Sequence, residues 1–517
     1  MKTTAQTQFG DFQTPVELAC QVTQFLHATG VSPSAVVEPT CGVGNFLVAS
    51  IRTFGDGIPH YGFDINPEHV NTARDALARQ RGGFCELTCK NFYDKDWPAF
   101  FRSLPEGVLI VGNPPWVTNS TLGSIRGGNL PEKRNFQGHR GFAAKTGKAN
   151  FDISEWMMIK LLESLRGRQA TLAMLCKTAT ARRVLRHVWN HGFDVRDASF
   201  HMVDAKRAFG VSVDACLFVA HTGGENHGQT ARVYTDFRIT SLVSTVGIHR
   251  GELIADVEAF KGVEDIDGIE YRKWRSGVKH DAAKVMEFKP DGSAWVNGFG
   301  ARHRLESTHL FPLLKSSDLA NNRLQPSKYV LLTQRQVTDD TSCIGLNAPR
   351  TWRYLHTHGE ALDRRRSSIY ARRPRFAVFG VGPYTFSPWK VAVSGLYKNP
   401  VFRVIGSVNG SPIVLDDTCY FIPCETREEA AFFCWMLSSD VARTFIRSLV
   451  FFDAKRPITI DVLKRIDLKK LAARMNVGAR AASYLAGTVF EEGQQSVFVF
   501  ESEGAYDGDV APTGSSG

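Results

Sequence analysis

Metal-ligand spacing is missing from this sequence. The ten cysteines are scattered along 517 residues, with only Cys85/Cys89 and Cys419/Cys424 close together and no CxxC pair or following His cluster. Zinc is therefore not expected, and reduced thiols in a cytosolic setting are. Long apolar runs are missing too: no segment approaches the ~18 residues that a membrane span requires. No basic-then-apolar leader precedes Phe9, so neither secretion nor membrane insertion is expected. Internal repeats and low-complexity tracts are absent apart from the final "DGDVAPTGSSG", within a stretch from 496 to 517 expected to be a disordered tail.

What remains is an ordinary globular composition with an uneven charge. A 43% hydrophobic content over 517 residues suits two or more domains with real cores. The formal charge of +10 is concentrated between residues 321 and 400, which hold 13 Lys/Arg against 4 Asp/Glu, whereas Glu491, Glu492, Glu501, Glu503, Asp507 and Asp509 make the end acidic. Such clustering suits a polyanionic partner.

Strand and helix signals alternate through the first half. "VELACQVTQFL" has helical spacing; "PSAVVEPTCGVGNFLVASI" reads as strand, glycine turn and helix; "HYGFDIN" is a strand before a helix opened by Pro67. "CELTC" and "VLIVGNPPW" continue the pattern, and "FDISEWMMIKLLESL" is an amphipathic helix with Asp152 and Glu155 placed like a capping box. "QATLAMLC", "ATARRVLRHVW" and "DACLFVA" complete it. The alternation predicts a mostly parallel sheet with helices on both faces and a ligand site at the carboxyl ends of its strands. The Gly-, Asn- and Lys/Arg-rich segment 118–150 has no period and is expected to be a lid. Turn-rich "HTGGENHGQT" suggests a boundary near residue 240, giving a first domain 1–240 and a second 241–495.

Three features carry chemistry. Glu38 ends a strand just before Gly42 and Gly44, whose turn brings backbone N–H groups close to a ligand. Leu47 stands where a dinucleotide fingerprint would have its third glycine, so no pyrophosphate cradle is indicated. Asp64, twenty residues after Gly44, lies where such folds accept the hydroxyls of a ribose; capping the Pro67 helix is its other possible task. Together these fit a nucleoside without phosphates but with an amino-bearing or cationic arm, as in S-adenosylmethionine. The third is "VLIVGNPPW", a buried strand that stops against an amide, two prolines and an indole. A Pro-Pro stop is by itself an ordinary end to sheet pairing.

Taken in order, "FGDFQTP", "EPTCGVGNF", "GFDIN", "NFYDKDW" and "NPPW" resemble the gamma-class amino-methyltransferases of DNA, the TaqI-like adenine enzymes, over residues 9 to 220. The resemblance implies an α/β fold: a Rossmann-like class I methyltransferase sheet followed by a C-terminal mixed α+β target-recognition domain. It implies S-adenosyl-L-methionine as cofactor, with Gln13, Thr14 and Pro15 at its methionine end beside Glu38, Pro39, Cys41, Gly42 and Gly44. Asp64 and Ile65 fall at the ribose, Asn91 and Phe92 at the adenine, and Asn113 between cofactor and substrate. Asn91 departs from the aspartate common in the family. Asn150 matches a family asparagine, while Glu155 stands where an aromatic is expected and Trp156 lies one place along.

The same resemblance gives the NPPW stop a role. The exocyclic amine of a nucleobase is a poor nucleophile, because its lone pair is delocalised into the ring. The Asn113 side-chain oxygen and the Pro114 carbonyl can accept its hydrogens, with Pro115 stiffening the turn. Trp116 offers a stacking face for an extruded base, and Phe209, in "DAKRAFGVSVDACLFV", matches the family position that packs on it. No metal or nucleophilic cysteine is required.

For the second half, "TWRYLHTHGEALDRRRSSIYARRPRFAVFGVGPYTFSPWKV" interleaves Arg353, Arg364, Arg365, Arg366, Arg372, Arg373, Arg375 and Lys390 with aromatics and resembles a target-recognition domain. These side chains are expected on double-stranded DNA. The sequence reading is thus a cytoplasmic, nucleoid-associated bacterial or archaeal adenine-N6 methyltransferase in a restriction-modification or phage-defence setting, a monomer or weak dimer. Any endonuclease activity is expected from a separate chain. Cytosine N4 methylation, protein-glutamine methylation and a non-catalytic DNA-specificity module are the alternatives; Asn113 at the head of the motif favours adenine and Trp116 disfavours the protein amide.

Overall fold

Period-two alternation in strands buried on both faces sorts apolar side chains into two layers, and here it builds one large sheet. The structure is a computed structural model that describes residues 13–80, 84–117, 152–224, 228–371, 373–451 and 456–485. The segment expected to be a lid, the C-terminal tail, Asn150 and Arg372 all lie outside the described residues. In chain order the first half runs α1 (Val16–Ala28), β1 (Ala35–Glu38), α2 (Asn45–Phe54), β2 (His60–Asp64), α3 (Pro67–Ala78), β3 (Cys85–Cys89), α4 (Trp97–Arg102) and β4 (Val108–Gly112). It continues with α5 (Ile153–Ser164), β5 (Ala170–Lys177), α6 (Thr178–Asn190), β6 (Val195–Val203), α7 (Ala205–Phe209) and β7 (Ala215–Thr222).

The sheet order is β3-β2-β1-β4-β5-β7-β6 with β7 antiparallel to both its neighbours. Val36, Leu109 and Val111 face Leu18, Val22 and Phe46 on the α1–α2 side. Their chain neighbours Val37, Val108 and Ile110 face Phe63, Trp97, Met158 and Leu185 on the α4–α6 side.

Two sequence expectations change. The sheet does not end with "DACLFVA": β8 (Thr230–Tyr234), β9 (Leu242–His249) and β10 (Glu252–Ile254) extend it to ten strands, so sheet membership runs past residue 240 to Ile254. Strand β6 has no clean alternation in the sequence, because a register shift between Arg196 and Ser199, with Asp197 at φ 41°, breaks it.

The remainder holds a four-stranded sheet (Arg275–Ser276, Cys419–Cys424, Trp389–Ser394, Arg403–Ile405) and a six-stranded one centred on Glu287–Asp291 and Lys328–Leu331. It joins the ten-stranded sheet just past β10, where the Ala255 and Asp256 N–H groups donate to Ser448 O at 2.8 and 3.0 Å. No helix among the described residues is long and apolar enough to cross a membrane.

Candidate active site at the strand ends

Parallel strands end level with one another, so residues that finish β1, β2 and β4 meet over the sheet's carboxyl edge. Glu38 ends β1, Asp64 ends β2, and Asn113 follows Gly112 at the end of β4. With Thr14, Cys41, Gly42 and Pro115 they line one cleft of about 460 Å³, counted out to its open mouth. Gln13, expected with Thr14 and Pro15 at the methionine end, also lines it, as do Thr40, Asn45 and Phe46, which carried no expectation of their own. Two of these fasten the cleft's outer wall. Gln13 Oε1 accepts from Val43 N–H at 3.1 Å, and the Asn45 amide donates to Thr14 O at 2.8 Å. The only sequence signal of Asn45 was proximity to the glycine turn.

The turn after β1 requires glycine twice. Gly42 has φ +49°, and a Cβ there would overlap the Gln13 amide; Gly44 has φ +82°, and a Cβ would lie 2.9 Å from that of Ala73 on α3. Asp64 then organises the turn: Oδ2 accepts from Gly42 N–H at 2.8 Å and Oδ1 from Asn66 N–H at 2.9 Å. Each oxygen keeps acceptor capacity for a ligand hydroxyl. The capping of α3 falls to Asn66, which accepts from Glu68 N–H at 3.0 Å.

Glu38 is enclosed, and burial pushes its carboxyl well above the usual range, with Leu47 N–H opposing and the Asp64 charge adding to the shift. Among the described residues its Oε2 has no hydrogen-bond partner. A buried carboxylate oxygen without a partner is costly unless a cationic or amino group arrives to meet it. Burial, and then Glu38 and Asp64, also push the Cys41 thiol far up, leaving a neutral thiol and no nucleophile.

The other residues expected at the cofactor, Pro15, Pro39, Gly44, Ile65, Asn91 and Phe92, are not among those lining the cleft. Pro15 precedes α1, Pro39 follows Glu38, and Ile65 beside Asp64 is 52% exposed, an apolar surface at the rim. Asn91 caps the short turn Phe92–Asp94 by accepting from Tyr93 N–H at 3.1 Å. Phe92 is buried, its ring 4.9 Å from Trp97 and 6.0 Å from Trp156. Glu155 pairs with Arg183 at 2.6 Å, while Trp156 turns to this aromatic group.

Pro114 and Pro115 carry the chain from β4 to Trp116, which is only 7% exposed and donates from Nε1 to Leu175 O at 3.2 Å. The Phe209 ring meets Trp116 at 5.1 Å and 69°, edge to face. The two therefore form a single aromatic wall rather than opposite plates, since 5.1 Å between centroids leaves no base-wide slot.

In the basic segment, side-chain direction divides the expected DNA contacts. Arg353, Arg364 and Arg366 are exposed and Arg373 half-buried. Arg364 pairs with Glu360, and Arg375 with Asp363 at 2.7 Å. Arg365 turns inward, donating to Leu362 O and Ala377 O at 2.7 Å each and stacking 3.8 Å over Tyr370. Lys390, expected on DNA, is enclosed: it lies on a strand paired on both sides and donates from Nζ to Ser387 O at 2.7 Å. Burial lowers its ammonium to about 7. Tyr354, Phe376 and Tyr384 are buried, so these aromatics support the surface from beneath.

No protein-family model matches the chain. It is 41% identical over 467 residues to type II methyltransferase M.NspV of Nostoc sp. (strain ATCC 29411 / PCC 7524), covering 90% of this chain and 97% of that protein. Type II methyltransferase M.VspI of Vibrio sp. (strain 343) is 28% identical over 108 residues, 21% of this chain and 25% of its relative. Among solved structures, the type IIL restriction-modification enzyme MmeI in complex with DNA matches with a TM-score of 0.54 and 13% identity, over 90% of this chain and 69% of its own.

Strand order and terminal cleft are those of the class I methyltransferases that use S-adenosyl-L-methionine, and the cleft fits that cofactor. Glu38 would offer a buried acceptor to its charged arm, Asp64 two oxygens to its ribose, and the Gly42 turn close backbone approach. Its kinship is closer than class: the chain belongs to the type II methyltransferases.

Proposed function

We propose that this protein methylates the exocyclic N6 of an adenine extruded from a specific duplex DNA sequence. The observation that carries the reading is that Asn113 and Pro115, of the strand-terminal Asn-Pro-Pro corner, line the same cleft as Glu38 and Asp64. An amine acceptor and a nucleoside site thus share one wall.

S-adenosyl-L-methionine, when bound, supplies an activated methyl group. The remaining work belongs to this chain's residues. Glu38 and Asp64 hold the two polar ends of the nucleoside sulfonium, and the Gly42 turn closes on it. Asn113 Oδ1 and the Pro114 carbonyl accept hydrogen bonds from the two amine hydrogens, drawing the lone pair out of the ring and stabilising the positive charge that grows on nitrogen until it gives up one proton to solvent. Proline at 114 and 115 fixes φ, so the acceptors do not reorganise during transfer. Trp116 and Phe209 supply an aromatic wall against which an unstacked base packs. Outside the cleft, Arg353, Arg366 and Arg373 neutralise phosphates or read base edges, with Arg364 and Arg375 released from their carboxylates on binding; Arg372 is assigned the same role.

The reading is further supported by the M.NspV relationship over nearly the whole chain and by the fold shared with an enzyme solved on DNA. We assign the protein to the modification arm of a restriction-modification system whose nuclease is a separate chain. Its test is product analysis: wild-type protein, labelled cofactor and mixed-sequence duplex DNA, followed by digestion to nucleosides. Label in N6-methyl-2′-deoxyadenosine is expected; label in N4-methyl-2′-deoxycytidine would reassign the base, and none in DNA would remove the activity.

A further inference from the structure

The ladder joining β4 to β5 ends at Gly112 opposite Met174. It cannot continue, because Pro114 and Pro115 have no N–H to donate. Beyond Gly112 two hydrogen bonds from the end of β5 hold the exit of the corner. The Trp116 indole donates to Leu175 O at 3.2 Å. The Trp116 carbonyl accepts from Lys177 Nζ at 3.0 Å. The same ammonium donates to Asp152 Oδ2 at 2.7 Å. Asp152 is buried and caps α5, its Oδ1 accepting from Ser154 N–H at 3.1 Å. Just beyond the corner, Ile153 N–H donates to Val117 O at 2.9 Å. Lys177 thus ties the exit of the acceptor corner to the start of α5.

We infer that Lys177, charge-balanced by Asp152, is a positioning residue for methyl transfer. By fixing the Trp116 carbonyl it sets the ψ angles that the two prolines leave free, and so aims the Asn113 and Pro114 acceptors. This rests on the methyl-transfer reading above. Lys177 touches neither base nor cofactor in this role. Its loss misdirects the acceptors and leaves the cleft of Glu38 and Asp64 intact, and displacements of about 1 Å in such groups cost on the order of 100-fold in rate.

The test compares wild type, Lys177→Met, Lys177→Arg and the double variant Lys177→Met/Asp152→Asn on DNA that wild type methylates. Single-turnover rate, cofactor Kd, DNA Kd and thermal midpoint are measured for each. Lys177→Met is expected to lose roughly 10- to 100-fold in rate with both Kd values near wild type, and Lys177→Arg to recover part of it. Because Lys177→Met strands a buried carboxylate, the double variant removes both charges and is expected to regain thermal stability while its rate stays low. A double variant that regains rate would trace the defect to the stranded Asp152 and overturn the inference. So would an unchanged Lys177→Met rate, or a rate loss matched by lost cofactor affinity. Wild type that methylates no DNA overturns the functional reading and this inference together; the other negative results leave the former standing.

Discussion

The cleft and the basic segment differ in how residue type maps onto place. Glu38, Asp64 and Asn113 close buried parallel strands, so the sheet delivers all three to one edge whatever the surrounding loops do. Residues 353 to 390 lie on short helices, turns and one strand, where neighbouring cations point opposite ways: Arg364 outward, Arg365 into the fold, Lys390 into the core. A motif anchored at a strand end fixes geometry, whereas a count of positive charges fixes only a field.

The largest expected effect tests the strand-end half of that contrast. Asp64→Ala removes both an acceptor for the ligand and the partner of Gly42 N–H, and should raise the cofactor Kd by roughly 100-fold in calorimetry; a change within twofold would detach Asp64 from the cofactor.

Lys390→Met should come next. The folded ammonium titrates at about 7 against 10.5 unfolded, so wild type loses stability as pH falls from 10.5 towards 7 and loses no more below. Methionine should therefore stabilise by a few kcal/mol near pH 7 in urea titrations, with the gain shrinking to about zero above pH 10. The salt dependence of DNA binding should not change.

Glu38→Gln sharpens the contrast differently. Since the folded carboxyl is raised, wild-type apo protein is favoured below the unfolded value of 4.5 and loses that stability as pH rises through the folded one. The variant should melt at higher temperature at neutral pH yet bind cofactor more weakly, and wild type should release protons on binding, seen as a buffer-dependent enthalpy. The smallest effect belongs to the exposed arginines: Arg353→Ala and Arg366→Ala should each reduce the salt slope of DNA binding by about one ion. Arg365→Ala should lower the melting temperature instead.

Much of the first half was legible because β1, β4 and β5 are buried runs and the strands are bounded by strong turn chemistry. The class I sheet, the Glu38–Gly42–Asp64 constellation and the Asn113 corner could all be named from sequence. Strand β6 was hidden by its bulge at Asp197, and β8 to β10 by the turn-rich stretch before them. Asn45 carried no signal beyond standing beside the glycine turn, because it acts through a backbone group distant in sequence, Thr14 O. Burial of Lys390 is a tertiary property: a lysine between aromatics reads the same on a DNA face and under one.

The central claim is that Asn113 draws out the amine's electrons without holding the cofactor in place. Single-turnover methylation by Asn113→Ala, with its cofactor Kd measured alongside, tests this most directly. The rate should fall at least 100-fold, by analogy with removal of one transition-state acceptor, while cofactor Kd stays near wild type. A variant that methylates at the wild-type rate would contradict the account.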